Sequence, residues 1–351
     1  MSEQYPPGSW PPPPAPGPAP LPRFPHAAPR PYHLILRTWN YRWWKPLVGV
    51  LSLLLAMFIV APIVFLPVLA LGVYAEGGDF WTKFQDAATL KTIDPAALLY
   101  LNLVLGSMVF VAWFLVRVIH RLRPRWLMSV QPKIRWRLFF ACLGLAFVAL
   151  LAQVLVGMLL PQGADTSMSG KLNHFTATSA VIGLIVIFTT PLQAAGEEYV
   201  FRGYLMQAFG SLFGVHESVV RQKLSQWGAI LVTATLFALA HGLGQNFPLF
   251  FDRFMFGLIA GWLVILTGGL EAGIALHILN NFLAFGAAVA FGNLTDTLNV
   301  TDVSWWNIVN TLTQSGVYFA LVLVVARRMG VQTRTRPPVP ATPDEPAVAV
   351  T

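Results

Sequence analysis

The chain has 351 residues, of which 56% are hydrophobic and only 11% are charged, with a formal net charge of +8 at pH 7. The mean hydropathy of +0.61 excludes a soluble domain with a solvated surface and predicts a polytopic membrane protein. Because the basic residues flank apolar segments, membrane topology accounts for the positive charge, and nucleic acid is not expected as a partner.

Residues 1–32 are rich in proline and lack apolar periodicity, which is typical of a disordered tail. We expect this tail to act as a cytoplasmic tether, and the alternative is that a partner protein binds it. Residues 329–351 are expected to form a second disordered cytoplasmic tail.

Eight apolar segments are long enough to cross a hydrocarbon layer of about 30 Å. These segments lie near residues 46–74, 97–119, 137–160, 176–209, 227–243, 249–267, 270–291 and 305–327. The fourth contains Pro191 and is too long for a simple span, so we expect it to be kinked or partly embedded. The predicted fold is an all-α bundle of about eight transmembrane helices in a lipid bilayer.

The predicted spans divide the chain into three membrane regions. The first three helices occupy 33–175, a core occupies 176–290, and an outer loop with the last helix occupies 291–328. Basic residues precede the first span, crowd the link between the second and third, and follow the last. With eight crossings these groups fall on one side, which predicts that both termini are cytoplasmic.

Polar side chains interrupt three of the apolar segments. Glu197 and Glu198 lie in the fourth, His241 lies towards the end of the fifth, and His277 and Asn281 lie in the seventh. Such residues are costly inside a membrane and are functional hypotheses by default. The helical rise predicts similar depths for these residues. Measured from the cytoplasmic ends of their helices, Glu197 and His241 lie roughly 20 Å along, and His277 and Asn281 lie roughly 10 and 16 Å along. We therefore expect one shared site.

The spacing of these residues also divides their roles. Glu198 and Arg202 are four residues apart on one helix face, so we expect them to neutralise each other and leave Glu197 facing a cavity. His277 and Asn281 share a face for the same reason.

The residue types point to hydrolysis of a peptide bond. A carboxylate and an imidazole that share a water can deprotonate it for attack on a carbonyl, and a second imidazole with an amide supplies two donors for the oxyanion. No serine or cysteine nucleophile is needed. Structural interhelical hydrogen bonds and a zinc ion held by a glutamate and two histidines remain alternatives, although an HExxH motif is absent.

Three short motifs follow one another on successive predicted helices: Glu197-Glu198-x-x-x-Arg202, Phe237-x-x-x-His241 and His277-x-x-x-Asn281. Together they resemble the CPBP (Abi) family of intramembrane proteases, which includes the CAAX prenyl endopeptidases. The resemblance covers about residues 176–290. It implies that Glu197 with His241 activates water, that His277 and Asn281 hold the oxyanion, and that Glu198, Arg202 and Phe237 support them without an obligatory metal or other cofactor.

The resemblance also implies a substrate class, namely a membrane-associated peptide or protein, with CAAX specificity only as a family property. The proline-rich tail and the spans rich in small residues fit a bacterium, where prenylation is not expected, so we predict an endopeptidase of the bacterial plasma membrane. Two alternatives remain. One is a non-catalytic adaptor or bacteriocin-immunity protein, and the other is a proton-coupled transporter, because buried glutamate and histidine can relay protons.

Overall fold

The computed structural model describes residues 25–161, 171–216 and 218–337. Within these ranges the protein is all-helical and contains no β-strand, as the sequence predicts. Most of the two expected disordered tails, residues 1–24 and 338–351, lies outside the described residues.

Among the described residues, eight helices are long and apolar enough to cross a membrane, which confirms the predicted fold class. They are α1 (Trp44–Glu76), α2 (Pro95–Val118), α3 (Trp136–Leu159), α4 (Ala177–Phe213), α5 (Val219–Ala240), α6 (Phe247–Thr267), α7 (Glu271–Phe291) and α8 (Asn307–Arg328). The connections contain shorter helical pieces at Tyr32–Leu34, Phe80–Ala88, Pro124–Leu127 and Leu294–Leu298.

Local sequence signals fix where several helices begin and end. The Asp94 side chain accepts a hydrogen bond from the backbone of Ala97 and caps α2, and Asn246 caps α6 in the same way. Thr176 and Ser179 form a reciprocal capping box at the start of α4. Gly268 ends α6 in the left-handed conformation, with φ of 71°, that glycine adopts without steric cost.

Large apolar side chains cover much of the outer surface. Phe114, Leu155 and Phe188, on three different helices, are each more than 60% exposed. Such a surface is unstable in water but matches hydrocarbon. Together with the eight long apolar helices, it identifies a multi-pass membrane protein.

Helices α4 and α7 form the centre of the bundle. α4 packs along α2 on one side and along α7 on the other, and α7 also contacts α3 and α6. At the crossing with α2, a Cβ atom on Gly196 would lie 2.0 Å from the carbonyl oxygen of Leu105. Only glycine allows this approach, which sets Glu197 level with the middle of α2.

The winding of α4 changes directly after its two glutamates. The helix continues through Pro191, but Tyr199–Leu205 is wound as a π-helix before α-helical winding resumes at Met206. The irregularity therefore lies beside the polar residues, eight residues after the proline at which the sequence predicted it. Such wider turns are common at functional sites.

One end of the bundle collects all three basic stretches of the sequence, and we call it the basic end. Pro31 pairs with Arg334 in an antiparallel bridge, and the backbone of Thr335 donates to the carbonyl of Arg30 at 2.9 Å. The hydroxyl of Tyr32 donates to the carbonyl of Leu127 in the link between α2 and α3.

These contacts correct the limits expected for the disordered tails. His26 is buried, its ring lies 2.7 Å from the carbonyl of Ile35, and it packs edge-on against Trp126. Residues 25–32 and 329–337 are thus parts of the folded basic end, because each segment provides hydrogen-bond partners for the other. Proline-rich composition concealed this order.

Candidate active site

A buried glutamine connects α4 to α7. Gln193 lies one turn before Glu197 and donates a hydrogen bond from its Nε2 to Oε1 of that carboxylate. Its own Oε1 accepts from Nδ2 of Asn281 at 2.8 Å. One amide therefore links a glutamate on α4 with an asparagine on α7, and both α4 residues are buried.

The second glutamate, Glu198, joins α4 to α7 at another point. Its Oε1 accepts from Nη1 of Arg202 at 2.8 Å and from Nδ1 of His277 at 2.9 Å. Glu198 and Arg202 form the predicted ion pair, and both side chains are fully buried. Because the carboxylate can only accept, Nδ1 of His277 carries a proton and Nε2 is turned towards the other glutamate.

His277 lies between the two adjacent carboxylates. Its Nε2 is 3.9 Å from Oε2 of Glu197, which is too long for a hydrogen bond. Burial of all three side chains excludes bulk water from this gap. The sequence predicted only the ion pair between Glu198 and Arg202. In the structure, the Glu198 oxygen that accepts from Arg202 also positions His277.

Two aromatic rings surround the arginine. The guanidinium of Arg202 lies 4.0 Å from the ring centre of Phe237 and 5.2 Å from that of Phe256. Its Nε and Nη2 have no hydrogen-bond partner among the described residues. The faces of the two rings therefore provide the stabilisation that hydrogen bonds do not.

The ring of His241 packs against the ring of Phe237, which in turn lies near His277. It directly follows the last residue of α5, and its Nδ1 lies 2.8 Å from the carbonyl of Phe237. The ring of Phe237 is 4.6 Å from that of His241 and 6.0 Å from that of His277. Since a carbonyl only accepts, Nδ1 of His241 is the protonated nitrogen and Nε2 is a free acceptor.

His241 and Glu197 are not directly bonded. Within the described residues, no hydrogen bond or ion pair joins them, and the imidazole near Glu197 is that of His277. Of the four residues predicted to be catalytic, Glu197 and Asn281 are thus joined through Gln193 and His277 lies beside Glu197, whereas His241 contacts the ring of Phe237.

Because α5 ends before α6 does, we infer a recess beside His241. The rings of Phe237 and Phe256 are in contact, with centres 5.4 Å apart. From Phe256, α6 extends nine residues, about 13 Å, back to its first residue, Phe247. From Phe237, α5 continues for only three residues, about 5 Å, to its end at Ala240. Residues 239–244 are exposed there. The recess lies at the end of the bundle opposite the basic end.

A close approach of α7 to α4 requires glycine. A Cβ atom on Gly273 would lie 2.6 Å from Oε2 of Glu198, an atom without a hydrogen-bond partner among the described residues. A larger residue would therefore require the carboxylate to shift.

A buried ion pair fixes the start of α7. Arg135 donates from Nε and Nη2 to the two carboxylate oxygens of Glu271 at 2.8 and 2.6 Å, and from Nη1 to the carbonyl of Thr267 at 2.6 Å. Glu271 is the first residue of α7 and is fully buried. This bidentate contact sets the position from which His277 and Asn281 project.

In the part of the chain that the structure describes, no group of three histidine, cysteine, aspartate or glutamate residues is arranged to hold a metal ion. Cys142, the single cysteine, is buried in α3.

Two site residues escaped the sequence analysis. Gln193 was detectable, because it is a polar residue in an apolar run and lies four positions before Glu197 on the same helix face. Phe256 gave no signal, because a phenylalanine in an apolar span is ordinarily a packing or lipid-facing residue. Its contact with Arg202 depends on how α5 and α6 pack.

Comparisons with known proteins identify the family that this region of the sequence matches. Residues 177–283 match the family described as type II CAAX prenyl endopeptidase Rce1-like, which confirms the resemblance to the CPBP family. A curated protein of Escherichia coli, described as an uncharacterized 24.3 kDa protein, is 28% identical over 134 residues. The aligned region is 38% of this chain and 57% of that protein, so the chain spans little more than half of the relative's length. No solved structure matches the chain.

Proposed function

We propose that this membrane protein, whose residues 177–283 match the Rce1-like family, is an intramembrane endopeptidase. The observation that carries the proposal is the buried network in which Gln193 links Glu197 to Asn281 while His277 lies between two carboxylates. Charged and amide groups at this depth are costly, and their convergence from separate helices favours a chemical role over a structural one.

In the proposed reaction, Glu197 and His241 activate the attacking water. Oε1 of Glu197 is occupied by Gln193, which leaves Oε2 to accept a proton from water. Nε2 of His241 is the second acceptor, because its Nδ1 is held by a backbone carbonyl. Glu197 and His241 are not directly bonded, and in the proposed reaction a water molecule lies between them and hydrogen-bonds to both.

His277 and Asn281 are the proposed donors to the oxyanion. Glu198 fixes the ring of His277 through Nδ1, and a protonated ring would donate from Nε2 while flanked by two carboxylates. The amide of Asn281 has two hydrogens, of which Gln193 accepts one. The other is available to the developing charge.

The step balances without any further reactant. The water oxygen bonds to the substrate carbonyl carbon, Glu197 takes the proton, and the carbonyl oxygen becomes the oxyanion. When the tetrahedral intermediate collapses, the C–N bond breaks and the proton passes from Glu197 to the leaving nitrogen. The products are a carboxylic acid and an amine, which ionise to a carboxylate and an ammonium group by transfer of the second water proton.

Access to the site restricts the proposed substrate. If the basic end faces the cytoplasm, as the distribution of arginine and lysine favours, the recess beside His241 opens on the outer side of the plasma membrane. We therefore propose a membrane-associated peptide whose scissile bond is presented from the outer side. A cytoplasmic prenylated protein would approach from the basic end, opposite the recess.

The test uses the full chain in proteoliposomes with a library of internally quenched peptides, each carrying a farnesyl group, a palmitoyl group or no lipid. Cleavage by the wild type that is lost in Glu197→Gln is the expected result. Glu76→Gln is the matched control, because Glu76 is exposed at the end of α1 and accepts a backbone hydrogen bond that glutamine can also accept. Equal cleavage by wild type and Glu197→Gln would exclude the mechanism.

A further inference from the structure

A cleft at the basic end lies apart from the candidate active site. Its volume is about 440 Å³, and it is formed by the segment before α1, the first turns of α1 and the end of α2. The residues that line it are Asn40, Arg42, Trp44, Lys45, Val48, Val118, Ile119 and Arg121.

The cleft carries positive charge that nothing in the described structure neutralises. Arg42, Lys45 and Arg121 line it, no carboxylate does, and none of the three forms an ion pair within the described ranges. Lys45 is only 8% exposed, and its Nζ donates to the backbone carbonyl of Asn40 at 3.1 Å. Three uncompensated cations in one concave surface favour an anionic ligand.

Arg121, one of the three cations that line the cleft, has a strained backbone conformation. Its φ is +51°, and only one other non-glycine residue of the described chain has a positive φ. Glycine adopts this conformation freely, whereas a residue with a Cβ atom is destabilised there. An arginine at such a position is a candidate for a functional contact.

The other side of the cleft is apolar and continues onto the lipid-facing surface. Val48, Val118 and Ile119 form this side, and Leu51, one turn further along α1, is 68% exposed. Trp44 also lines the cleft, and tryptophan is enriched at membrane interfaces. A ligand with a charged head and apolar tails would meet matching surface on both sides.

We propose that this cleft binds the phosphate group of an anionic membrane lipid between Arg42, Lys45 and Arg121, with the acyl chains lying along Val48 and Val118. A free phosphate ion offers the same type of anionic oxygen, but it would leave the apolar side of the cleft uncovered. The proposal is independent of the enzymatic activity.

The experiment compares the full-length protein in nanodiscs of phosphatidylcholine with and without phosphatidylglycerol. Native mass spectrometry after release from the disc is expected to show phosphatidylglycerol retained by the wild type, and thermal unfolding is expected to shift upward. Inorganic phosphate added to phosphatidylcholine discs is expected to produce no shift. A shift as large as that of the lipid would overturn the proposal in favour of a free anion.

Two double variants make the test specific. Arg42→Gln with Arg121→Gly removes two of the cations, and the glycine relieves the strained backbone, so this variant is expected to fold at least as well in neutral lipid. Its retention of phosphatidylglycerol is expected to fall about fivefold for each charge removed. Arg125→Gln with Arg328→Gln removes two exposed charges elsewhere at the basic end. Equal losses in both variants, or no loss in the first, would overturn the proposal.

Discussion

Nδ1 of His277 lies 2.9 Å from Oε1 of Glu198, the same oxygen that accepts from Arg202. The carboxylate thus has two tasks, because it neutralises a buried guanidinium and fixes the orientation of an imidazole on another helix. The opposite nitrogen of that ring consequently faces Glu197, and the geometry of the proposed oxyanion donors depends on it.

The ion pair between Glu198 and Arg202 should be essential for stability as well as activity. Arg202→Met leaves a fully buried carboxylate without its cation, and such losses cost about 3–5 kcal/mol. The double variant Glu198→Gln/Arg202→Met should regain most of the unfolding free energy, because no charge remains unpaired, yet stay inactive. Thermal unfolding in detergent and peptide cleavage measure the two effects. A double variant as unstable as the single one would contradict this account.

Gln193 should affect turnover more than stability. Gln193→Leu removes the donor to Glu197 and the acceptor for Asn281, and a change in base geometry of this kind is expected to lower kcat by about ten- to a hundredfold. Gln153→Leu is the matched control, because Gln153 lies in α3 and, among the described residues, forms no hydrogen bond with Glu197 or Asn281. Equal kcat values for the two variants would show that the bridge is dispensable.

The sequence predicted the membrane class and the eight apolar helices, because these follow from apolar length. It could not predict that His277 rather than His241 lies beside Glu197. That arrangement depends on the π-helical turn after Glu198 and on where α5 ends, and neither leaves a periodic signal. The ordered residues 25–32 were missed for a similar reason, since their order comes from long-range contacts.

Gly273 should tolerate no side chain. A Cβ atom there would lie 2.6 Å from the Glu198 carboxylate, so Gly273→Ala is expected to displace that group, disorient His277 and lower both cleavage and the unfolding temperature. Gly286→Ala on the same helix is the control, because nothing lies within 4 Å of the added methyl group and alanine favours the helix. Similar behaviour of the two variants would argue against a tight approach of α7 to α4.

Acid should loosen the basic end before it affects the membrane core. Burial, reinforced by the charge of Arg334, lowers the pKa of His33 to about 4, and burial, reinforced by Lys45, lowers that of His120 to about 4. Both are near 6.5 in the unfolded chain, which therefore binds more protons between pH 6.5 and 4. Stability is fully present above pH 6.5 and is lost as the pH falls through this window.

Each of these histidines contributes on the order of 3 kcal/mol to that loss. Hydrogen exchange at a series of pH values should show protection decreasing first in the segments around Tyr32–Leu34 and the end of α2. The variant His120→Phe should show a shallower decrease, since it fills the space beside Tyr204 without a titratable group. An identical pH profile for the variant would disprove the role of His120.

The orientation of the recess can be tested with cysteine labelling, because the single native cysteine is fully buried and provides a low background. Gly244 lies in the exposed loop beside His241 with no atom near its Cβ position, whereas Arg328 is exposed at the basic end. In intact bacterial cells, a membrane-impermeant maleimide should label Gly244→Cys and should reach Arg328→Cys only after lysis. The opposite pattern would show that the recess faces the cytoplasm, and cytoplasmic proteins would then be candidate substrates. Labelling of Gly244→Cys should also decrease when a cleavable peptide occupies the recess, because the substrate would pass this loop to reach Glu197.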